Sequence, residues 1–300
     1  MKTSYALLAV CLLILVSCKE ETTTSKPEEQ KISIDGTATD NSSKSQKSTE
    51  ELKILLSQFT DKKHKIQEKL KTLTPEQANK LYESYLKDNV QDVMDIQNHE
   101  GHLLETNNYY SYFYNDKGET IIPPDSIGVK VALLDKAGLE FWEIGEGYVD
   151  VRTQPDFYLS IFRNYVTDDY SDFIKINTEE DKVLYTADAG FVISFKDVGK
   201  RVLNWENFIH KHPDSKLITQ AKEMYSDYQL GYLFGVDNTP TMEHPSTKPY
   251  PENLAEFNSF ITQNPDSFTT KLIKIVLAST KNYDDLKTEI MEEQTKYTGK

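Results

Sequence analysis

The sequence predicts a mainly α-helical protein that carries one small β-hairpin. Between residues 52 and 96 the apolar side chains return every three or four positions, the spacing of one helix face. The pattern F-I-x-x-[HN]-P-D-S occurs at 208–215 and again at 260–267, each time where a helical stripe stops. Residues 139–153 instead alternate apolar and polar around Gly145-Glu146-Gly147, the period of a half-buried strand pair.

Composition narrows the functional classes. The 300 residues suffice for one large domain or two small ones, and 38% hydrophobic content with 18 Tyr and 13 Phe can fill a sizeable core. A net charge of −14 disfavours nucleic-acid binding, which needs clustered Lys and Arg against phosphates. The same charge disfavours direct adhesion to an anionic lipid surface.

At the N-terminus, Lys2 precedes an apolar run over residues 5–16. That run is shorter than the roughly 20 residues a membrane-spanning helix needs, and it fits the apolar region of a secretory signal. It ends in Leu15-Val16-Ser17-Cys18, which resembles the lipobox of bacterial lipoproteins. The resemblance implies that residues 1–17 are a signal peptide, removed before Cys18, and that the Cys18 sulfur carries lipid. Cys11 leaves with the signal, so the mature body would hold neither a thiol nor a disulfide. Lys19-Glu20-Glu21 looks like the surface-export signal of Bacteroidota lipoproteins; the periplasmic face of the outer membrane is the alternative address. Residues 18–48 are almost wholly polar and read as a disordered tether, with a reach of roughly 30 Å.

The body starts with a helix at Ser48, whose stripe is Leu52, Leu55, Phe59, Ile66, Leu70 and Leu73. Thr74-Pro75-Glu76-Gln77 matches a helix start with Thr as cap, Pro at the first position and Gln closing a capping box. Ala78, Leu81, Tyr85, Val93 and Ile96 continue on one face, so residues 49–118 form a helical hairpin unit. Residues 119–300 form the second unit: a helix capped by Asp125 or Ser126, the β-hairpin, a helix opened by Pro155, short helices through Leu184, and a long helix over 192–210. Two repeat-like hairpins follow, in which Pro breaks the first helix and Asp or Ser caps the second. These hairpins resemble tetratricopeptide-type units, although residues 235–251 are inserted between them and two copies are fewer than such stacks normally need.

For chemistry, the densest cluster is on the β-hairpin: Trp142, Glu143, Glu146, Tyr148, Asp150 and Arg152. Paired carboxylates beside aromatic rings suit carbohydrate binding or cleavage; a solvated hairpin face with Trp142 turned to the core is the structural alternative. His99 and His102 are three apart rather than four, and His210 and His212 sit at a helix end, so no metal site is expected. No G-x-S-x-G and no glycine-rich nucleotide loop occurs, so no catalytic residue and no cofactor is assigned. The expectation is a membrane-anchored envelope lipoprotein that binds a protein partner without catalysis. A carbohydrate-acting lipoprotein using Trp142, Glu143, Glu146, Tyr148 and Arg152 is a second reading. A third is a ligand-capturing lipoprotein of a transport system, with a pocket lined by tyrosines.

Overall fold

The computed structural model describes residues 38–299; the proposed signal peptide, Cys18 and the acidic segment behind it lie outside the described residues. Helices α1 (Ala38–Leu70) and α2 (Pro75–His99) form the opening hairpin. The predicted capping box is present: the Gln77 N–H donates to the Thr74 hydroxyl and the Thr74 N–H to the Gln77 side-chain Oε1. Short helices α3 (Gly101–Leu104) and α4 (Thr106–Phe113) lead to α5 (Asp125–Ala137). The β-hairpin follows as β1 (Leu139–Gly145) and β2 (Tyr148–Thr153), then α6 (Phe157–Phe162) and α7 (Asp168–Glu180). The C-terminal part holds β3 (Thr186–Ala187), β4 (Gly190–Phe191), α8 (Phe195–Lys211), α9 (Ile218–Phe234), β5 (Gly235–Val236), β6 (Thr239–Pro240), α10 (Pro251–Gln263), α11 (Phe268–Ala278) and α12 (Tyr283–Thr298). All three strand pairs are antiparallel and two-stranded. Among the described residues no helix is long and apolar enough to cross a membrane.

Helix boundaries depart from the sequence reading in physically sensible ways. The first helix begins at Ala38 rather than Ser48. Once Leu52, Leu56 and Phe59 are packed, each residue added ahead of them gains a hydrogen bond without a new nucleus. Neither Asp125 nor Ser126 caps α5, because Pro124 occupies the cap position. The Pro155 helix stops at Phe162, four residues before Val166. Residues 106–113 become α4, and 283–298 become α12, a helix the sequence reading did not anticipate.

Buried apolar residues gather in two cores. The first joins α1, α2, α5, α6 and the β-hairpin through Leu52, Phe59, Tyr85, Leu139, Val151 and Phe162. The second joins α8 to α12 around Trp205, Tyr225, Tyr232, Phe257 and Ile273. Helix α7 serves both: Tyr170 and Ile174 enter the first core, and Phe173 enters the second. The β-hairpin therefore packs with the N-terminal helices.

The two F-I-x-x-[HN]-P-D-S segments adopt one geometry. His212 ends α8 at φ −129°, ψ 55°, and Asn264 ends α10 at φ −132°, ψ 60°. Their N–H groups donate to the Phe208 and Phe260 carbonyls at 2.9 and 2.8 Å. In each copy the following Ser hydroxyl accepts the N–H two residues on, Leu217 or Thr269, at 3.1 Å. It also donates to a carboxylate of an earlier helix, Ser215 to Asp169 (2.5 Å) and Ser267 to Glu206 (2.7 Å). Only Ser267 caps its helix directly; in the first copy Leu217 takes that position.

Candidate functional site

Strand register separates the residues proposed on the β-hairpin. Glu140 faces Arg152 and Trp142 faces Asp150, whereas Glu143 pairs with Val149. Alternation along the strands then sets Trp142 and Arg152 on one face and Glu143 on the other. The Arg152 guanidinium lies 3.4 Å from the centre of the Trp142 ring. Its Nε donates to Glu140 at 2.8 Å, and its Nη2 stands 2.7 Å from the same carboxylate without hydrogen-bond alignment. Arg152 is thereby stacked and neutralised. Glu143 instead accepts the hydroxyl of Tyr110 from α4, and this bond, with desolvation, pushes the phenol up to about 12.

Glu146 occupies the tip of the hairpin in a left-handed conformation (φ 52°), flanked by Gly145 and Gly147, both also at positive φ. It is exposed, as is Tyr148. A side chain at Gly145 would collide with Ala187 of β3, which fixes where the tip rests. Asp150 accepts from Gln97 of α2 at 2.9 Å. The predicted cluster thus divides into a Trp142–Arg152–Glu140 stack, a Tyr110–Glu143 pair and an exposed tip.

The histidines separate as well. His99 bonds the buried Glu100 at 2.9 Å, while His102 points to solvent. His212 reaches Asp172 at 2.8 Å, and His210 meets the Tyr297 hydroxyl at 2.7 Å.

A substantial cavity lies elsewhere: an open groove of about 680 Å³ along the outer side of α11. Phe268, Ile275 and Ala278 of α11 give it an apolar floor, and Tyr297 of α12 and His210 of α8 close one end. The Phe268 and Tyr297 rings are stacked, 4.0 Å apart and 5° from parallel. Lys271 sits over the Phe268 ring at 5.4 Å and pairs with Glu293 at 2.7 Å. Lys274 lies on the same side of the helix and is exposed.

Buried polar bonds hold these walls. Glu206 of α8, 2% exposed, accepts the Phe268 N–H (2.7 Å) and the Ser267 hydroxyl (2.7 Å) at the start of α11. Gln294 of α12 donates to Gln229 of α9 (2.9 Å), and Gln229 donates to Thr269 of α11 (2.7 Å). Position after position, α8, α9, α11 and α12 are cross-linked by fully paired polar groups. A second buried centre lies nearby: Glu180 accepts from the Trp205 indole and the Tyr228 hydroxyl, both at 2.9 Å. Arg201 caps the end of α7 through the Glu180 carbonyl at 2.9 Å.

Sequence reading gives no groove here, because it singles out no second apolar row on α11. The helix carries a buried row, Leu272, Ile273 and Val276, and beside it a second row, Phe268, Ile275 and Ala278. A helix apolar on more than its core-facing stripe was the available signal. Tyr297 had no signal of its own, since α12 had not been recognised.

Set against protein families, curated proteins and solved structures, the chain matches none of them.

Proposed function

We propose that the protein is a membrane-anchored envelope lipoprotein, held by lipid on Cys18, whose helical body binds a protein partner without catalysis. The observation that carries this reading is the groove on α11: apolar, open to solvent and walled by helices that buried polar bonds keep in place. Apolar grooves on rigid helices suit a segment of another chain, because little ordering cost is left to meet on binding. The sugar-cleaving reading needs two carboxylates facing one substrate. Glu143 is committed to Tyr110 and Glu146 stands at the exposed tip, so the pair gives that reading no support. The transport reading asked for a pocket lined with several tyrosines; the groove has Tyr297 alone among its lining residues.

Two substitutions test the proposal in the native bacterium. With Cys18→Ala the protein should leave the membrane fraction. A photo-crosslinking residue at position 274 should capture a discrete protein partner, and the same residue at position 146 should not. Retention of the Cys18→Ala chain in membranes would reject the anchor. Equal labelling from both positions, or from neither, would reject the docking face.

A further inference from the structure

We infer that the occupant of the α11 groove is a short acidic segment of a partner protein, with an aromatic or aliphatic anchor between its carboxylates. This rests on the groove being the docking face. The floor supplies the anchor's site, through Ile275, Ala278 and the edge of Phe268. The rim supplies the charge. Helix α11 carries Lys271 and Lys274 and no Asp or Glu along its length, in a chain whose net charge is −14. Lys271 is half-committed to Glu293, whereas no ion pair is formed by Lys274 among the described residues. One lining residue, Asp266, opposes this charge, and it lies at the turn before α11.

The size of the cationic patch sets the partner class. Next to it, α12 carries Asp284, Asp285, Glu289, Glu292 and Glu293 against Lys287 and Lys296, so carboxylates are in excess. A broad anionic surface, such as a bilayer or a nucleic acid, would meet those carboxylates as soon as it reached the lysines. A peptide confines its carboxylates to a few residues and avoids the acidic neighbour. The eleven residues of α11 rise about 16 Å, the span of roughly five extended residues.

Fluorescence anisotropy on the full chain in detergent tests this with a labelled hexapeptide, Asp-Glu-Phe-Asp-Leu-Glu. It should bind saturably. A version with Lys at the four acidic positions should not bind, and one with Ala for Phe and Leu should bind about tenfold more weakly. Lys274→Glu, at an exposed position, should weaken the parent peptide about tenfold with the melting temperature unchanged, and Ala278→Asp should also weaken it. Equal affinity for the acidic and basic peptides, or no effect of Lys274→Glu, would overturn the inference. If the crosslinker at position 274 captures a partner but the acidic peptide fails to bind, the docking face stands and the acidic class of occupant is wrong.

Discussion

The two cores handle buried polar groups in opposite ways. In the N-terminal core the Tyr85 hydroxyl and the Asn89 carbonyl oxygen are buried without an aligned partner, amid a cluster of Phe59, Tyr82, Phe157 and Tyr158 rings. A deeply buried ion pair there, Glu100 with Lys130 at 2.7 Å, ties the end of α2 to α5. In the C-terminal core Glu180, Glu206, Gln229 and Gln294 are each bonded across helices. A fully satisfied polar network specifies one arrangement of helices, whereas apolar contacts tolerate repacking. The groove lies among the helices of the C-terminal half that this network joins.

Removal of the largest buried side chain strains this comparison most. Trp205 is fully buried, meets the Phe173 and Phe208 rings edge-to-face, and donates to Glu180. Trp205→Ala should lower stability by about 3–5 kcal/mol. Trp142 then remains as the single tryptophan and reports on the N-terminal half. Its fluorescence should shift at a lower urea midpoint too, because α7 belongs to both cores. An unmoved Trp142 transition would mean that the halves unfold independently.

The next effect depends on pH. Burial raises the Glu180 carboxyl to about 7, against the opposing hydrogen bonds from Tyr228 and Trp205 and the charge of Arg201. Between its ordinary value of 4.5 and about 7, the folded chain holds a proton that the unfolded chain has released. Stability contributed by this group is complete below that window and falls as pH rises through it, by up to about 3 kcal/mol. Glu180→Gln should flatten that portion of a denaturation-versus-pH curve. An unchanged slope would place the proton elsewhere.

A matched pair of hydroxyl deletions compares the cores directly. Tyr228→Phe strips partners from Glu180 and Arg201 and should cost about 1–3 kcal/mol. Tyr85→Phe removes a hydroxyl that has no aligned partner, so it should be neutral or slightly stabilising, within about 0.5 kcal/mol. Equal losses in chemical denaturation would erase the distinction between the cores. The smallest expected contrast lies in the repeated turns. Ser267→Ala loses a direct cap on α11, worth about 1 kcal/mol, whereas Ser215 does not cap α9, so Ser215→Ala should cost less by thermal melting.

Local chemistry made part of this protein legible. The Thr74–Gln77 capping box, the period of α1 and α2, the strand pair at 139–153 and the two Pro-Asp-Ser turns all follow from short-range preferences, and each is present in the fold. The candidate site was not legible. Residues close in sequence on the β-hairpin are divided by strand alternation between opposite faces, so proximity along the chain misled. The groove draws on His210, Lys274 and Tyr297, which stand far apart in the sequence.

What the sequence determined by itself was therefore most of the longer helices, though not α12, together with the hairpin and the repeated turn, because these depend on bonds among near neighbours. Only the tertiary structure decided which apolar row of α11 would be covered and which left open. That choice depends on Glu206 seizing the start of α11 and Gln294 fastening α12 to α9, contacts whose partners no local pattern can pair.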